Sequence, residues 1–257
     1  MSAPDSPHHF PGPGTLDRAL ALVRFLRREC PWDAKQTAES LIPHLLEETH
    51  EVVDAIRDGD LHELEGELGD LLLNLAFQIV VAEENGALDA DSVYARLEAK
   101  MISRHPHIFG GGERQNWEEM KARERADGES VLSGLAKGLD PLTRSYRIQD
   151  RVAAVGFDWE NAKGALDKVT EELEETAESL GSDDFVEEVG DLLFACVNVA
   201  RLGSAHPTTA LARANAKFIR RFEALEVRAR ERGIDLATAG LPALDALWHE
   251  VKHEERQ

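Results

Sequence analysis

An acidic pattern that occurs twice constrains this chain more than any other feature. In the first half Glu47-Glu48-x-x-Glu51 precedes Glu67-x-x-Asp70; in the second, Glu171-Glu172-x-x-Glu175 precedes Glu188-x-x-Asp191. Residues three and four apart share a helix face. Each half can therefore gather its carboxylates from two neighbouring helices. Carboxylates held that closely repel unless a cation lies between them. An all-oxygen ligand set favours a hard divalent ion, with Mg²⁺ the default, and such an ion keeps positions for water and substrate phosphates. The repeat points to phosphate chemistry at one or two sites. Glu-rich stripes are more often solvated helix faces. Against that reading stand the second acidic group on the adjoining helix, the strongly apolar flanks, and the recurrence of the whole arrangement.

The residues between the acids predict helix throughout. Ala, Leu, Glu and Arg dominate, aromatic residues are only 6%, and β-branched runs are scarce, which favours an all-α fold. The chain has 257 residues, of which 42% are hydrophobic. That is enough for two ordinary domains with cores. A formal net charge of −20 argues against direct binding to nucleic acid or to an anionic membrane. It leaves nucleotides open, because a metal ion screens their phosphates. Leu71 to Ala82, interrupted by Asn74 and Gln78, is too short for a membrane span, which needs about 20 apolar residues. Cys30 and Cys196 lie among apolar residues and read as reduced, structural thiols of a cytoplasmic protein. The start of the chain lacks the basic and apolar runs of a signal peptide.

The expected organisation is a flexible tail over 1–14, an N-terminal domain over 15–126, a Gly- and Ser-rich linker over 127–141, and a C-terminal domain over 142–257. Helices are predicted from about Thr15 to Arg28, after Ser40 as N-cap with Pro43 in the first turn, and from the Asp58-Gly59-Asp60 turn to Asn85-Gly86. Leu45, Leu46, Val52, Val53 and Ile56 on one acidic helix are candidate core residues. So are Leu64, Leu68, Leu71, Leu72, Leu75 and Ile79 on the next. Further helices are predicted over Ala90–Ser103, Trp117–Arg125, Leu142–Val155 and Thr208–Arg232, with a last one opening at Pro242. Between them, Arg104-His105-Pro106-His107 reads as a loop and Gly181-Ser182-Asp183 as the turn of the second acidic pair.

The halves correspond beyond the acids. Lys100-x-x-x-Arg104 is matched by Lys217-x-x-x-Arg221, Trp117-x-x-x-Lys121 by Trp248-x-x-x-Lys252, and Glu67-Leu68-Gly69-Asp70 by Glu188-Val189-Gly190-Asp191. Each in-helix glycine costs about 1 kcal/mol relative to alanine, so both suggest close packing or room for a ligand. The simplest account is a duplicated helical domain. Lys217, Arg221 and Lys252 suit phosphates, and Trp248 suits a base; surface and core roles fit them as well. The halves also differ. Seven residues after the ExxD aspartate stands Asn198 in one and Phe77 in the other, and two before the lysine stand Asn215 and Glu98. Asn can bond phosphate oxygens or metal-bound water, Phe cannot, and Glu repels phosphate. If one site is efficient it is the C-terminal one, although helix packing alone could produce the same difference.

Together these residues resemble the MazG family of nucleoside triphosphate pyrophosphohydrolases, within the all-α NTP pyrophosphatase superfamily. The resemblance runs from about Thr15 to Lys252. It includes Cys30-Pro31-Trp32-Asp33, both acidic patterns, Arg104-His105-Pro106-His107, Gly156-Phe157-Asp158-Trp159, Ala214-Asn215-x-Lys217-Phe218-x-x-Arg221-Phe222 and Trp248-x-x-x-Lys252. The order and length are similar to the bacterial tandem-domain form. The resemblance implies two MazG-like helix bundles assembled as a homodimer. It implies hydrolysis of NTPs and dNTPs to monophosphate and pyrophosphate with Mg²⁺, for which Mn²⁺ can substitute, and a role in the nucleotide pool. It makes Glu172, Glu175, Glu188 and Asp191 metal ligands, assisted by Glu171. It makes Asn198, Asn215, Lys217, Arg221, Trp248 and Lys252 the nucleotide pocket, and Glu48, Glu51, Glu67 and Asp70 the N-terminal counterparts. The C-terminal domain is the principal catalyst in this family.

Two other readings compete. A carboxylate-bridged di-iron bundle needs two core Glu-x-x-His motifs, for which Glu47-x-x-His50 and Glu250-x-x-His253 are the candidates. A non-enzymatic acidic interaction module explains the charge but not the paired Lys, Arg and Trp.

Overall fold

The computed structural model describes residues 16–110 and 129–255. The expected tail, the predicted helix over Trp117–Arg125 and the Trp117-x-x-x-Lys121 motif lie outside the described residues. The chain divides into two compact units, Met1–Gln115 and Asn116–Gln257, and the described residues are helical with turns and no strand.

In the first unit α1 (Leu16–Glu29) leads through a 3₁₀ turn (Asp33–Lys35) to α2 (Ile42–Asp58), α3 (Leu61–Glu84), α4 (Ala90–Arg104) and the short α5 (Pro106–Phe109). Gly59, at φ 70°, takes the left-handed conformation that ends α2, and the Asp60 carboxylate caps α3 through the backbone amides of His62 and Glu63. A connection this short makes α2 and α3 antiparallel neighbours. The core lies at the far half of α3, where Ala76, Phe77 and Val80 pack with Leu20 and Val23 of α1, Leu41 and Ala90. Arg27 clamps this end. Its guanidinium pairs with Glu84 and donates to the carbonyls of Asp33 at 2.8 Å and Gln36 at 3.1 Å.

Two local expectations change. Ser40 is not the cap of α2, because Leu41 holds that position. Ser40 and Thr37 instead bond each other's backbone amides, at 2.9 and 3.1 Å. The Arg104-His105-Pro106-His107 stretch is not a loop, since Pro106 opens α5, as its fixed φ and missing N–H allow.

The second unit runs α6 (Pro141–Ala153), α7 (Ala162–Glu178), α8 (Phe185–Leu202), α9 (Pro207–Glu231) and α10 (Gly240–Glu254). Asp140 caps α6 and Asn161 caps α7, and Gly181 at φ 84° turns the chain between α7 and α8. Buried Gln149 ties α6 to α8 by donating to the Phe194 carbonyl at 2.8 Å. Thr143 and Thr208 bond the starts of α6 and α9. Farther along, Leu225 and Ala229 of α9 form a separate cluster with Leu247 and Val251 of α10.

The apolar stripes are only partly covered. Leu46, Ile56, Leu68 and Leu75, expected in the core, are exposed, while Val52, Ala76, Phe77 and Val80 are buried. The exposed leucines on α3 are Leu61, Leu68 and Leu75, and on α7 they are Leu166 and Leu173, with Leu180 in the turn just beyond; Val186 and Leu193 follow on α8. All recur at intervals of seven, the period of a helix-on-helix seam. The helical spacing predicted these helices, but among the described residues no element of the same unit covers the stripe. Cys196 is likewise exposed on α8 rather than structural, and Cys30 is half-buried; both thiols are free.

Candidate metal and nucleotide site

Each acidic helix pair brings three carboxylates together across its two helices. Oxygens of Glu172 on α7 and of Glu188 and Asp191 on α8 lie within 4.8 Å of one another, and the same holds for Glu48 on α2 with Glu67 and Asp70 on α3. The two triads occupy matching positions in the duplicated pattern. Glu51 and Glu175 stand outside these closest groups, yet their charges are felt within them. The Glu188 carboxyl is held above its ordinary value by desolvation first, then by Glu175, Asp191 and Glu172. Glu67 is raised by desolvation, then by Glu51, Glu63 and Glu48. Glu48 is raised by desolvation, then by Asp70, Glu51 and Glu47. Burial and the neighbouring carboxylates thus act together to disfavour the charged forms.

The donor set fits a hard ion. Ligands on one Mg²⁺, each about 2.1 Å away, lie at most about 4.2 Å apart, so the oxygens need to close only slightly. Glu172 is 5% exposed, and a carboxylate so buried requires a counter-charge. In this structure Lys168, one turn earlier on α7, supplies it. The Lys168 ammonium lies 2.6 Å from Glu172 and 2.8 Å from Glu171, and both contacts raise its pKa. The Thr176 hydroxyl points at the carbonyls of Glu172 and Glu188, at 2.6 and 3.3 Å, and so ties the two ligand-bearing turns together. Sequence reasoning missed Lys168, although its spacing of three and four from two glutamates is the usual signal of a helical ion pair. In the first unit His44 holds the matching position, 3.8 Å from Glu47.

A built Cβ on Gly69 or Gly190 meets nothing within 4 Å. Among the described residues neither is closely packed, and both face open space.

The cationic candidates lie on the α9–α10 hairpin. Lys217, Lys252 and Asn215 have no polar side-chain partner among the described residues. Arg221 pairs with Glu255 at 2.6 Å. Trp248 packs beside the Leu225–Val251 cluster, with Phe218 5.1 Å away and Phe222 stacked on Phe218. Among the described residues, no hydrogen bond or ion pair joins these side chains to the acidic triad. Asn198 lies on α8 itself, two turns beyond Asp191 and on the same face. Its carboxamide oxygen accepts from Arg201 at 3.0 and 2.8 Å. The di-iron reading loses its ligands. Glu250 is committed to Arg232 at 2.6 Å, and neither Glu-x-x-His pair contributes to an acidic triad.

Two helical units, each presenting a carboxylate triad across an antiparallel helix pair, define an all-α protein suited to a hard divalent ion. Similarity to known proteins gives the family. The model of the MazG nucleotide pyrophosphohydrolase domain matches residues 36–109. The nucleoside triphosphate pyrophosphohydrolase of Escherichia coli (strain K12) is 38% identical over 257 residues, covering 93% of this chain and 98% of its own. The Thermotoga maritima protein named nucleoside triphosphate pyrophosphohydrolase/pyrophosphatase MazG is 39% identical over 227 residues, covering 87% of this chain and 89% of its own. A solved mazG-related protein from Thermotoga maritima aligns with 41% of this chain and 92% of its own, at 30% identity and a TM-score of 0.36. The chain belongs to the MazG family.

Proposed function

We infer that the chain hydrolyses nucleoside and deoxynucleoside triphosphates to the monophosphate and pyrophosphate, and that the C-terminal unit is its principal catalyst. The observation that carries this reading is the convergence of Glu172, Glu188 and Asp191 in a chain similar over nearly its whole length to pyrophosphohydrolases. Glu172, Glu188 and Asp191, with Glu175 beside them, would hold Mg²⁺ or, in its place, Mn²⁺. Bound there, the ion supplies neutralisation of the phosphate charge and a more acidic water. Glu171, exposed at the rim, orients the attacking water and accepts its proton. Water adds to the α-phosphorus as the bond to the bridging oxygen breaks, so that pyrophosphate leaves and one proton is released. Asn198, Asn215, Lys217, Arg221, Trp248 and Lys252 supply donors, positive charge and a ring face for the nucleotide. Glu48, Glu51, Glu67 and Asp70 form the counterpart site in the first unit.

The exposed seven-residue seams support assembly as a homodimer, in which a second copy covers the apolar faces of α3, α7 and α8. No helix among the described residues is long and apolar enough to cross a membrane, and the proposed place of action is the cytoplasm, on the nucleotide pool.

The test is to incubate the protein with mixed NTPs and dNTPs and Mg²⁺, and to resolve the products. The expected products are monophosphate and pyrophosphate. They should disappear with EDTA, and Glu172→Gln should reduce them at least about a hundredfold. Release of inorganic phosphate, or full activity in Glu172→Gln, overturns the assignment.

A further inference from the structure

The Asn198 amide is not free to choose which end it shows to a ligand. Arg201, one turn along α8, approaches it with two donors, Nε at 3.0 Å and Nη2 at 2.8 Å. A guanidinium carries only donors, so the atom facing it must be the amide oxygen. The amide nitrogen is then turned away from Arg201 and has no protein acceptor among the described residues.

Arg201 is itself immobilised. Its side chain is only 10% exposed and forms an ion pair with Asp158. The same Asp158 oxygen accepts the backbone N–H of Trp159 at 2.8 Å. The relay thus runs from the Gly156–Trp159 turn through Asp158 and Arg201 to Asn198. A methyl at Gly164 would fall 2.7 Å from the Trp159 ring, so the turn sits tight against the start of α7. The first unit has no such relay. Counted from the ExxD aspartate, its matching positions are Phe77 and Val80, both buried in the core.

We propose that Arg201, anchored by Asp158, is a positioning residue that fixes the Asn198 amide and makes position 198 an obligate hydrogen-bond donor to an acceptor oxygen of the bound nucleotide. This rests on the reading of the C-terminal unit as the nucleotide site. Asn198 lies about 10 Å along α8 from Asp191 on one face, which places its donor beyond the metal ligands. An Arg201 that merely braced the fold would not care which amide end faced outward.

Asn198→Asp tests this directly. It keeps the shape and strengthens the contact with Arg201, but replaces the outward donor by an acceptor. Wild type, Asn198→Asp, Arg201→Met and Arg201→Lys are compared by melting temperature and by KM and kcat with ATP and Mg²⁺. The expected result for Asn198→Asp is an unchanged or raised melting temperature, with KM raised about tenfold or more. Arg201→Met should raise KM in the same direction, and Arg201→Lys, which keeps a donor to the amide oxygen, should recover part of it. An unchanged KM in Asn198→Asp overturns the donor role. An unchanged KM in a folded Arg201→Met overturns the positioning role. Should Arg201→Met fail to fold, Arg201→Lys decides, since an amide half-released from its anchor must show a KM between wild type and Asn198→Asp. Absence of pyrophosphate release by the wild type would instead sink the underlying reading of the site.

Discussion

Replacing Gly190 by alanine tests the proposed pairing of two copies of this chain. Gly190 sits inside α8, where alanine is favoured by about 1 kcal/mol, and its added methyl meets nothing within 4 Å. A lone chain should therefore gain about 1 kcal/mol, or about 3 °C in melting temperature for a unit of this size. Yet Gly190 shares its helix face with Val186, Leu193 and Phe194, all exposed. If a second copy covers that face, the methyl intrudes on a packed seam, at about 1–3 kcal/mol. A two-fold interface contains the residue twice, so the dimer loses at least about 2 kcal/mol, whereas the helical gain is common to monomer and dimer and cancels. The dissociation constant should weaken about thirtyfold or more. Sedimentation equilibrium over a dilution series measures it, and thermal melts at the same concentrations report the opposite, propensity-driven gain once the protein is monomeric. An unchanged dissociation constant together with a higher melting temperature would show that this face is bathed in water in the dimer as well, and the seam argument would fail.

Three further outcomes are expected. Thr176→Val removes the hydroxyl shared by the Glu172 and Glu188 carbonyls, and should lower stability by about 1 kcal/mol, read by urea denaturation. Lys168→Met leaves buried Glu172 without its counter-charge, so the protein in EDTA should melt lower than wild type, and the rise on adding Mg²⁺ should be larger; an equal rise in both would refute the role given to Lys168. The acidic triads also set a pH dependence. A carboxyl raised in the folded state, as Glu48, Glu67 and Glu188 are, favours folding at acid pH and loses that benefit as pH rises through its folded value. Glu83, Glu84, Asp140 and Glu250 are lowered by Arg24, Arg27, Thr143 and Arg232 respectively and act in the opposite sense. The difference between melts in Mg²⁺ and in EDTA isolates the triads, and it should shrink as the pH falls and protons replace the metal on the raised carboxyls.

The helix pairs and their acids were legible because they rest on local signals: spacing of three and four, a glycine turn, a capping aspartate. Two kinds of feature were not. Leu46, Ile56, Leu68 and Leu75 show helical periodicity, but periodicity marks an apolar face without saying whether this unit or another chain covers it. Arg201 shows the second kind. Its meaning depends on Asp158, forty-three residues away, and no spacing rule reaches that far. Ser40 was misplaced for a local reason, since Ser next to a helix start can serve the preceding turn as readily as the helix itself.

The two units keep the same carboxylate triad and differ in what surrounds it, which explains why the duplication yields one principal catalyst in the proposed reading. Where the second unit has the Lys168 ammonium 2.6 Å from Glu172, the first has the His44 imidazole 3.8 Å from Glu47. Where the second has Asn198 and Arg201, the first has Phe77 and Val80, 4% and 1% exposed in the core shared with α1. The apolar pair stabilises the first unit by burial and leaves it without a side-chain donor at that place. The exchange is not easily reversed. An arginine at position 80 would enter a packed apolar interior among Leu20, Val23, Ala76 and Phe77. An unpaired buried charge costs several kcal/mol, a large share of the stability of a unit this small. The packing that stabilises the first unit thus leaves no place for a side-chain donor there, while its acidic triad of Glu48, Glu67 and Asp70 lies outside that core.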